Sequence, residues 1–327
     1  MTFDLRNIDC MELMAEIEDK SQNLIIVDPP YFEVKGKFDF IWDSFDDYLK
    51  DVEKWAKEIK RILADNGTLF WWGHAKKIAY SQIILDKYFA LENSLVWKKT
   101  DSQTRAQDFE ASRIFAPVTE RLLMYSNDHE PTDWAKTGTE RIMEEHIKLR
   151  HSFANYMREE FKLAGVSIAE VRRYVVNVMK LDSAMVNRWL DGDCIISEER
   201  YLMFRDFLNG EFLRKEYEEL RKEYEELRRP FDNIMKLKDV LEFSQETCKT
   251  SKWKHPTQKP PTICKALIKT CSRPGDSLFI PFLGSGSEAV AGINCGLNVT
   301  GSELDKVYFE AMLNRIKEET AQGDIFL

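Results

Sequence analysis

Residues 23–32 read NLIIVDPPYF, an apolar, β-branched run that stops at an acid, two prolines and a tyrosine. Such a run suits a strand buried on both faces. Its end would aim the Asp28 carboxylate, a backbone that Pro29 and Pro30 hold near a φ of about −65°, and the Tyr31 ring at one place. A second stretch with chemical potential lies far along the chain, FIPFLGSGSEAVAG at 279–292. A strand that runs into glycines and then a helix lets a ligand approach the backbone closely. Taken alone, that pattern serves a phosphate, a dinucleotide or a tight turn. One strand later, VTGSELD puts Glu303 at a strand end, where nucleotide-binding α/β folds place a carboxylate for ribose hydroxyls. No Gly-Lys-Ser/Thr accompanies the glycines, so a triphosphate-binding P-loop is excluded.

The elements that must hold these loops alternate between strand and helix over the first 126 residues, as an α/β sheet requires. Leu49, Val52, Ala56, Ile59 and Leu63 recur at spacings of three and four and predict one helical face. Asn66-Gly67 would end that helix, with TLFWW as the next strand. IAYSQIILDKYF reads as helix, and LENSLVW and RLLMYS as extended. After about residue 127 the chain turns polar, then helical from 140 to 230. LRKEYEE occurs twice in tandem from Leu213, and Leu213, Tyr217, Leu220, Tyr224 and Leu227 form a short heptad seam. Such a seam fits packing on its own domain or a homodimer contact. From Pro261 the alternation resumes. The expectation is one α/β domain in two pieces, 1–127 and 250–327, interrupted by a helical insertion at 128–249.

With 327 residues, 43% of them hydrophobic, the chain can bury a large core. No apolar run reaches the roughly 20 residues that span a bilayer, and the charged start MTFDLRNIDC does not read as a signal peptide. A cytoplasmic protein is expected. The six cysteines form no Cys-x-x-Cys pair, so neither a metal nor a disulfide framework is expected. The formal charge of −9 argues against indiscriminate attraction to polyanions. Residues 249–273 nevertheless carry lysines and arginines with no acid, a candidate face for nucleic acid.

Together DPPY at 28–31, HPTQKP at 255–260 and PFLGSGS at 281–287 resemble the motifs of the DNA amino-methyltransferases that use S-adenosylmethionine. The order, with the catalytic loop first and the cofactor loop last, resembles the β class. The resemblance covers about 1–127 and 250–320 and implies a Rossmann-like methyltransferase sheet with helices on both faces. It also implies a role for the opening stretch. An exocyclic amino nitrogen is a poor nucleophile because its lone pair is delocalised into the base. The Asp28 carboxylate and the Pro29 carbonyl would accept its two hydrogens and draw it toward tetrahedral geometry, with Pro30 fixing the loop. Tyr31 would stack on a base flipped out of the duplex. For the cofactor the resemblance implies Phe282 against the methionine portion, Gly284, Ser285 and Gly286 at its tail, and Asp9 and Cys10 at the adenine end. His255, Thr257, Gln258 and Lys259 would close over the methionine carboxylate, and Glu303 would take the ribose. One departure stands out. The family commonly has aspartate before the Pro-Phe of the cofactor loop, where this chain has Ile280. The contact to the cofactor's ammonium group is then absent or supplied elsewhere, with Asp28 as a candidate.

Within the insertion, residues 167–208 resemble a repressor-type helix-turn-helix with a lengthened linker. Ile168, Val171 and Val175 would form one apolar face, and Met185, Trp189 and Leu190 the next. Ser183, Asn187 and Arg188 would face a DNA groove. In the stretch 98–115, Lys98, Lys99, Arg105 and Arg113 are candidates for phosphate contacts. The expected activity is site-specific methylation of double-stranded DNA. Adenine N6 is favoured because adenine members of the family usually carry Asp first in the loop. Cytosine N4 methylation, or a DNA-binding regulator on the same fold, is the alternative, and a separate restriction enzyme is left open as a partner.

Overall fold

The computed structural model describes residues 2–34, 37–100, 115, 117–127, 152–246, 252–253 and 255–320. The chain divides into two compact units, Met1–Asp133 with Arg229–Leu327, and Trp134–Arg228.

Among the described residues the first unit has eight strands: β1 (Phe3–Arg6), β2 (Gln22–Val27), β3 (Leu63–Gly73), β4 (Ala90–Lys99), β5 (Thr119–Ser126), β6 (Val240–Phe243), β7 (Ser277–Ile280) and β8 (Asn298–Ser302). Their order across the sheet is β1-β8-β7-β2-β3-β5-β4-β6. Only β5 runs against its neighbours, β3 and β4. Because side chains alternate across a strand, each central strand feeds two cores. Leu24 and Ile26 of β2, Phe70 and Trp72 of β3, and Leu278 and Ile280 of β7 point to one face. Ile25, Val27, Leu69, Trp71 and Phe279 point to the other. Helices α1 (Cys10–Glu16), α2 (Phe45–Ile62) and α3 (Ile78–Leu85) cover the second face. Three later helices, Pro261–Cys271, Ser287–Asn294 and Lys306–Glu319, cover the first. The expected α/β sheet with helices on both faces is therefore present.

Two details of this unit differ from expectation. The helix begun at Phe45 ends at Ile62, and β3 starts at once. Pairing with β2 jumps from Gln22 opposite Leu63 to Leu24 opposite Thr68, so Asn66-Gly67 marks a bulge inside β3. Residues 229–246, expected in the insertion, lie in the sheet unit, because β6 pairs in parallel with β4. Backbone pairing with a sheet edge carries no hydrophobic periodicity long enough to read in four residues.

The second unit is helical: α4 (residues 152–163), α5 (Ile168–Asn177), α6 (Ala184–Leu190), α7 (Glu198–Phe207) and α8 (Tyr217–Leu227). A capping box between Ser167 and Glu170 starts α5. Val171 and Val175 are fully buried, but Ile168 is 38% exposed, and Val186 takes the core place expected of Met185. The tandem repeat is helical only from Tyr217. Leu213, Tyr217 and Leu220 pack into the unit's own core, while Leu227 is exposed. The seam is thus used up within its own unit, and the dimer contact drawn from it loses its basis. The later helices of the sheet unit are α9 (Pro261–Cys271), α10 (Ser287–Asn294) and α11 (Lys306–Glu319). Among the described residues no helix is long and apolar enough to cross a membrane.

Candidate active site

Strands β2 and β7 lie side by side in parallel, although Asn23 and Ser277 are joined across 254 positions of sequence. From β2 the sheet continues through β3 in one direction, and from β7 through β8 in the other. That reversal is a topological switch point, where open α/β sheets leave a crevice beyond the carboxyl ends of the strands. A cleft of about 1020 Å³ opens there, and Asp28, Pro29, Pro30, Tyr31, Phe282, Gly284 and Ser285 all line it. The two loops singled out from sequence converge.

Strand alternation turns the Asp28 side chain toward the face covered by α9 and α10. There it meets a buried lysine. Lys259 Nζ donates to Asp28 Oδ2 at 2.6 Å and to the Tyr31 hydroxyl at 3.2 Å. The Tyr31 hydroxyl in turn donates to Asp28 Oδ1 at 2.5 Å. Lys259 also lies 3.4 Å from Glu120 Oε2, and Lys99 lies 2.5 Å from Glu120 Oε1. Lys99, Glu120, Lys259 and Asp28 form a chain of alternating charge from β4 through β5 to the loop after β2. The rings of Trp72 and Tyr31 stand 5.0 and 5.4 Å from the Lys259 ammonium. Burial pushes the Asp28 carboxyl above its ordinary value, against the pull of Lys259. For Glu120, burial works the same way, but Lys259 and Lys99 together hold its carboxyl below the ordinary value. The Lys259 ammonium is held well above its ordinary value by Asp28 and Glu120 against the cost of its own burial.

The loop is braced from behind. Asp39, 1% exposed, accepts the Tyr31 backbone N–H at 2.6 Å through Oδ1, and its carbonyl accepts the Glu33 N–H at 2.6 Å. Lys77 donates to the Phe32 carbonyl and lies 4.8 Å from its ring. These restraints hold Phe32 and Glu33 at φ of 38° and 50°, in the sparsely populated left-handed region. Tyr31, 8% exposed with its hydroxyl fixed, forms a rigid wall of the cleft.

The glycine turn is also held by its own fold. The Gly284 N–H donates to Glu303 Oε2 at 2.8 Å, and the Asp305 N–H to Glu303 Oε1 at 2.9 Å. Glu303 lines the cleft, so the carboxylate that ties the turn down keeps one lone pair per oxygen for a ligand. A Cβ at Gly284 would come within 3.4 Å of the His255 ring. Gly286, expected at the cofactor, does not line the cleft. Its φ is +76°, and a Cβ there would meet Met312 Cγ at 2.5 Å, so this glycine serves the turn and the packing of α11. Ser285 shares a hydrogen bond with Ser287 and lies near Arg315.

The remaining candidates are placed as follows. Asp9 caps α1 by accepting the Met11 N–H at 2.7 Å, and Cys10 is buried with its thiol pushed up by that burial; both line the cleft. His255 stacks on Phe38 and meets Tyr308 edge-on, and Phe282 meets Trp55 edge-on at 4.9 Å. Thr257 and Gln258 line the cleft too. Lys259 was expected on the cofactor's carboxylate, but its ammonium is committed to Asp28 and Glu120. Lys99 was expected on phosphate and is bound to Glu120, and Lys98 pairs with Glu242 at 2.7 Å. Arg105 and Arg113 lie outside the described residues. In the second unit Asn187 and Arg188 are exposed on α6, Ser183 precedes it half-buried, and Asn187 accepts from Arg172 at 2.7 Å. Sequence reasoning missed Asp39, Glu120, Glu288 and the wall made by Phe38, Trp42 and Trp55. Only the aromatic run FDFIW just after the acidic loop signalled any of these.

The family model for DNA methylases (N6_N4_Mtase) matches residues 22–314. The chain belongs to the DNA methylase family. With its Asp-Pro-Pro-Tyr loop ahead of the insertion and its glycine turn after it, this methylase is a DNA amino-methyltransferase of the β class. The type II methyltransferase M2.DpnII of Streptococcus pneumoniae is 23% identical over 330 residues, covering 95% of the methylase and 88% of its own length. The DNA adenine methyltransferase YhdJ of Escherichia coli is 22% identical over 321 residues, covering 94% and 80%. Among solved structures, the complex of M1.HpyAVI with S-adenosylmethionine superposes with a TM-score of 0.54 at 15% identity, over 96% of the methylase and 99% of that chain. That likeness is one of fold.

Proposed function

We propose that this methylase transfers a methyl group from S-adenosylmethionine to N6 of an adenine flipped out of duplex DNA. The observation that carries the reading is the opening of the Asp28–Tyr31 loop and the Phe282–Ser285 turn onto one cleft at the sheet's switch point. The lining suits a nucleoside joined to an amino acid. It has aromatic walls in Phe282 and Trp55, a carboxylate with free lone pairs in Glu303, and a glycine at 284 that leaves room beside His255.

S-adenosylmethionine supplies a methyl group already activated on a sulfonium sulfur. The protein's own contribution is to ready the acceptor. Each oxygen of Asp28 receives one hydrogen bond, from Tyr31 and from Lys259, and keeps a further lone pair. Asp28 accepts one amino hydrogen and the Pro29 carbonyl accepts the other, which localises the nitrogen lone pair. Lys259 opposes the protonation that burial favours at Asp28 and fixes which way it points. Tyr31 is the fixed wall for the base, where stacking contributes about 1–3 kcal/mol. Asp9 and Cys10, with Glu303, hold the adenosine end. The second unit reads DNA through Asn187 and Arg188, side chains shaped for adenine and guanine edges.

Adenine is preferred over cytosine because the loop begins with Asp, and a relative matched over 80% of its length, YhdJ, is a DNA adenine methyltransferase. Incubation with tritiated cofactor and mixed duplex DNA, followed by long-read sequencing, tests this. Label on adenine N6 in a defined context is expected. Label on cytosine N4 would overturn the base assignment, and tight DNA binding without label would leave a regulator.

A further inference from the structure

Glu288 is a buried acid that the fold does not use. It sits in the first turn of α10, 5% exposed, and lines the cleft. Its Oε1 is enclosed and has no hydrogen-bond partner among the described residues. Burying a carboxylate without a partner is costly, so such groups ordinarily sit against a cation. The two cations nearest in effect are committed elsewhere: Lys259 to Asp28 and Glu120, and Arg315 to Glu246 and Glu319. Neither forms an ion pair with Glu288 among the described residues.

The strand beside it sharpens the point. Ile280 ends β7 with its side chain in the core beneath α9 and α10, 1% exposed. Position 280 therefore contributes no carboxylate to this face of the sheet. Asp28, another acid lining the cleft, receives one hydrogen bond on each oxygen and is assigned above to the amino group of the acceptor base. Eight residues after Ile280, on the helix packed over the same face, Glu288 brings a carboxylate back to the cleft.

We propose that Glu288 receives the primary ammonium group of the methionine end of the methyl donor, in place of an acid at position 280. This rests on reading the cleft as the S-adenosylmethionine site. An ammonium group matches both deficits at once, since it carries positive charge and three N–H donors. A sulfonium has charge without a donor, and ribose hydroxyls have donors without charge. Burial, then the neighbouring Asp28, pushes the Glu288 carboxyl up to about 7. The arriving ammonium ionises it, so binding releases a proton near neutrality.

Isothermal titration of the full chain with S-adenosylhomocysteine, and with its analogue bearing hydrogen in place of the amino group, tests this. The wild type prefers the amino compound by about tenfold or more, as a charge-assisted hydrogen bond requires. In Glu288→Gln that preference shrinks to about twofold, while affinity for the deaminated analogue is kept. Wild-type affinity for S-adenosylhomocysteine also rises from pH 6 to pH 7.5, and the rise is absent in Glu288→Gln. Equal preference in the two proteins, or equal loss of both ligands in the variant, would overturn the proposal. Failure of the wild type to bind either compound at millimolar concentration would instead remove the cofactor reading on which it stands.

Discussion

Lys259 Nζ stands 2.6 Å from Asp28 Oδ2, on a side chain only 1% exposed. The pair joins two loops that lie 231 residues apart in sequence and makes the acid after β2 dependent on a cation delivered just before α9. A buried ion pair adds little net stability, but breaking one from a single side leaves a stranded charge.

Lys259→Met keeps much of the volume and removes the charge. The loss of stability is about 3–5 kcal/mol at pH 7.5, read from urea unfolding. Asp28 is then buried without this cation and, already raised by burial, binds a proton more tightly in the folded state than in the unfolded one, while Glu120 keeps Lys99. Stability of the variant therefore falls as pH rises, and its deficit is smaller at pH 5.5 than at pH 7.5.

Asp28→Asn keeps the shape and an acceptor but loses the anion. Single-turnover methylation falls by about 100-fold or more, the scale for removing one prepositioned group from a transition state. Affinity for S-adenosylhomocysteine stays within about threefold. Near-normal turnover would remove Asp28 from the chemistry.

The two positive-φ glycines of the cofactor turn separate packing from binding. Gly286→Ala meets Met312 and a left-handed backbone, and costs about 2–4 kcal/mol in thermal or urea unfolding. Gly284→Ala has ordinary contact distance to His255, costs about 1–2 kcal/mol for its backbone alone, and weakens S-adenosylhomocysteine because its methyl group enters the cleft.

Glu288 also gives the ligand-free protein a pH signature. Its carboxyl sits at about 7 against an ordinary 4.5, so the folded state holds a proton that the unfolded state releases between those values. Stability then declines as pH rises through that window, by at most on the order of 3 kcal/mol. Denaturant midpoints at pH 5 and pH 7.5 should converge in Glu288→Gln.

In the helical unit, Arg188→Ala changes stability by less than about 0.5 kcal/mol because the side chain is exposed. If Arg188 reads a base edge, sequence preference relaxes at one position at a cost of about 1–3 kcal/mol. If it touches phosphate, affinity falls evenly and the salt slope drops by about one. Binding to matched and scrambled duplexes at two salt concentrations distinguishes these results from no change, which would move recognition elsewhere.

Much of this protein could be read from its sequence because the informative segments are local. The run ending at Asp28 and the turn at Gly284–Gly286 declare themselves within ten residues, and α2 shows its apolar face by spacing alone. The alternating charges of Lys99, Glu120, Lys259 and Asp28 could not be read in this way. Nothing in the sequence shows that these four side chains are partners until the sheet order brings β4, β5 and β2 together. Lys99, read from sequence as a phosphate contact, pairs with Glu120 in the structure for that reason. Glu288 was hidden differently, in a helix start where an acid is ordinary, and only burial beside Ile280 makes it conspicuous.

The adjacency of β2 and β7 has a consequence for synthesis on the ribosome. A nascent chain that has emerged only as far as β6 exposes one edge of β2 with nothing to pair against it, and β1 is without its partner β8. The cleft is complete only after its lining residues from Pro281 to Tyr308 have left the exit tunnel. Translation arrested before Ser277 therefore yields a product without β7 and the glycine turn of the cleft, with an unpaired edge that recruits chaperones or aggregates.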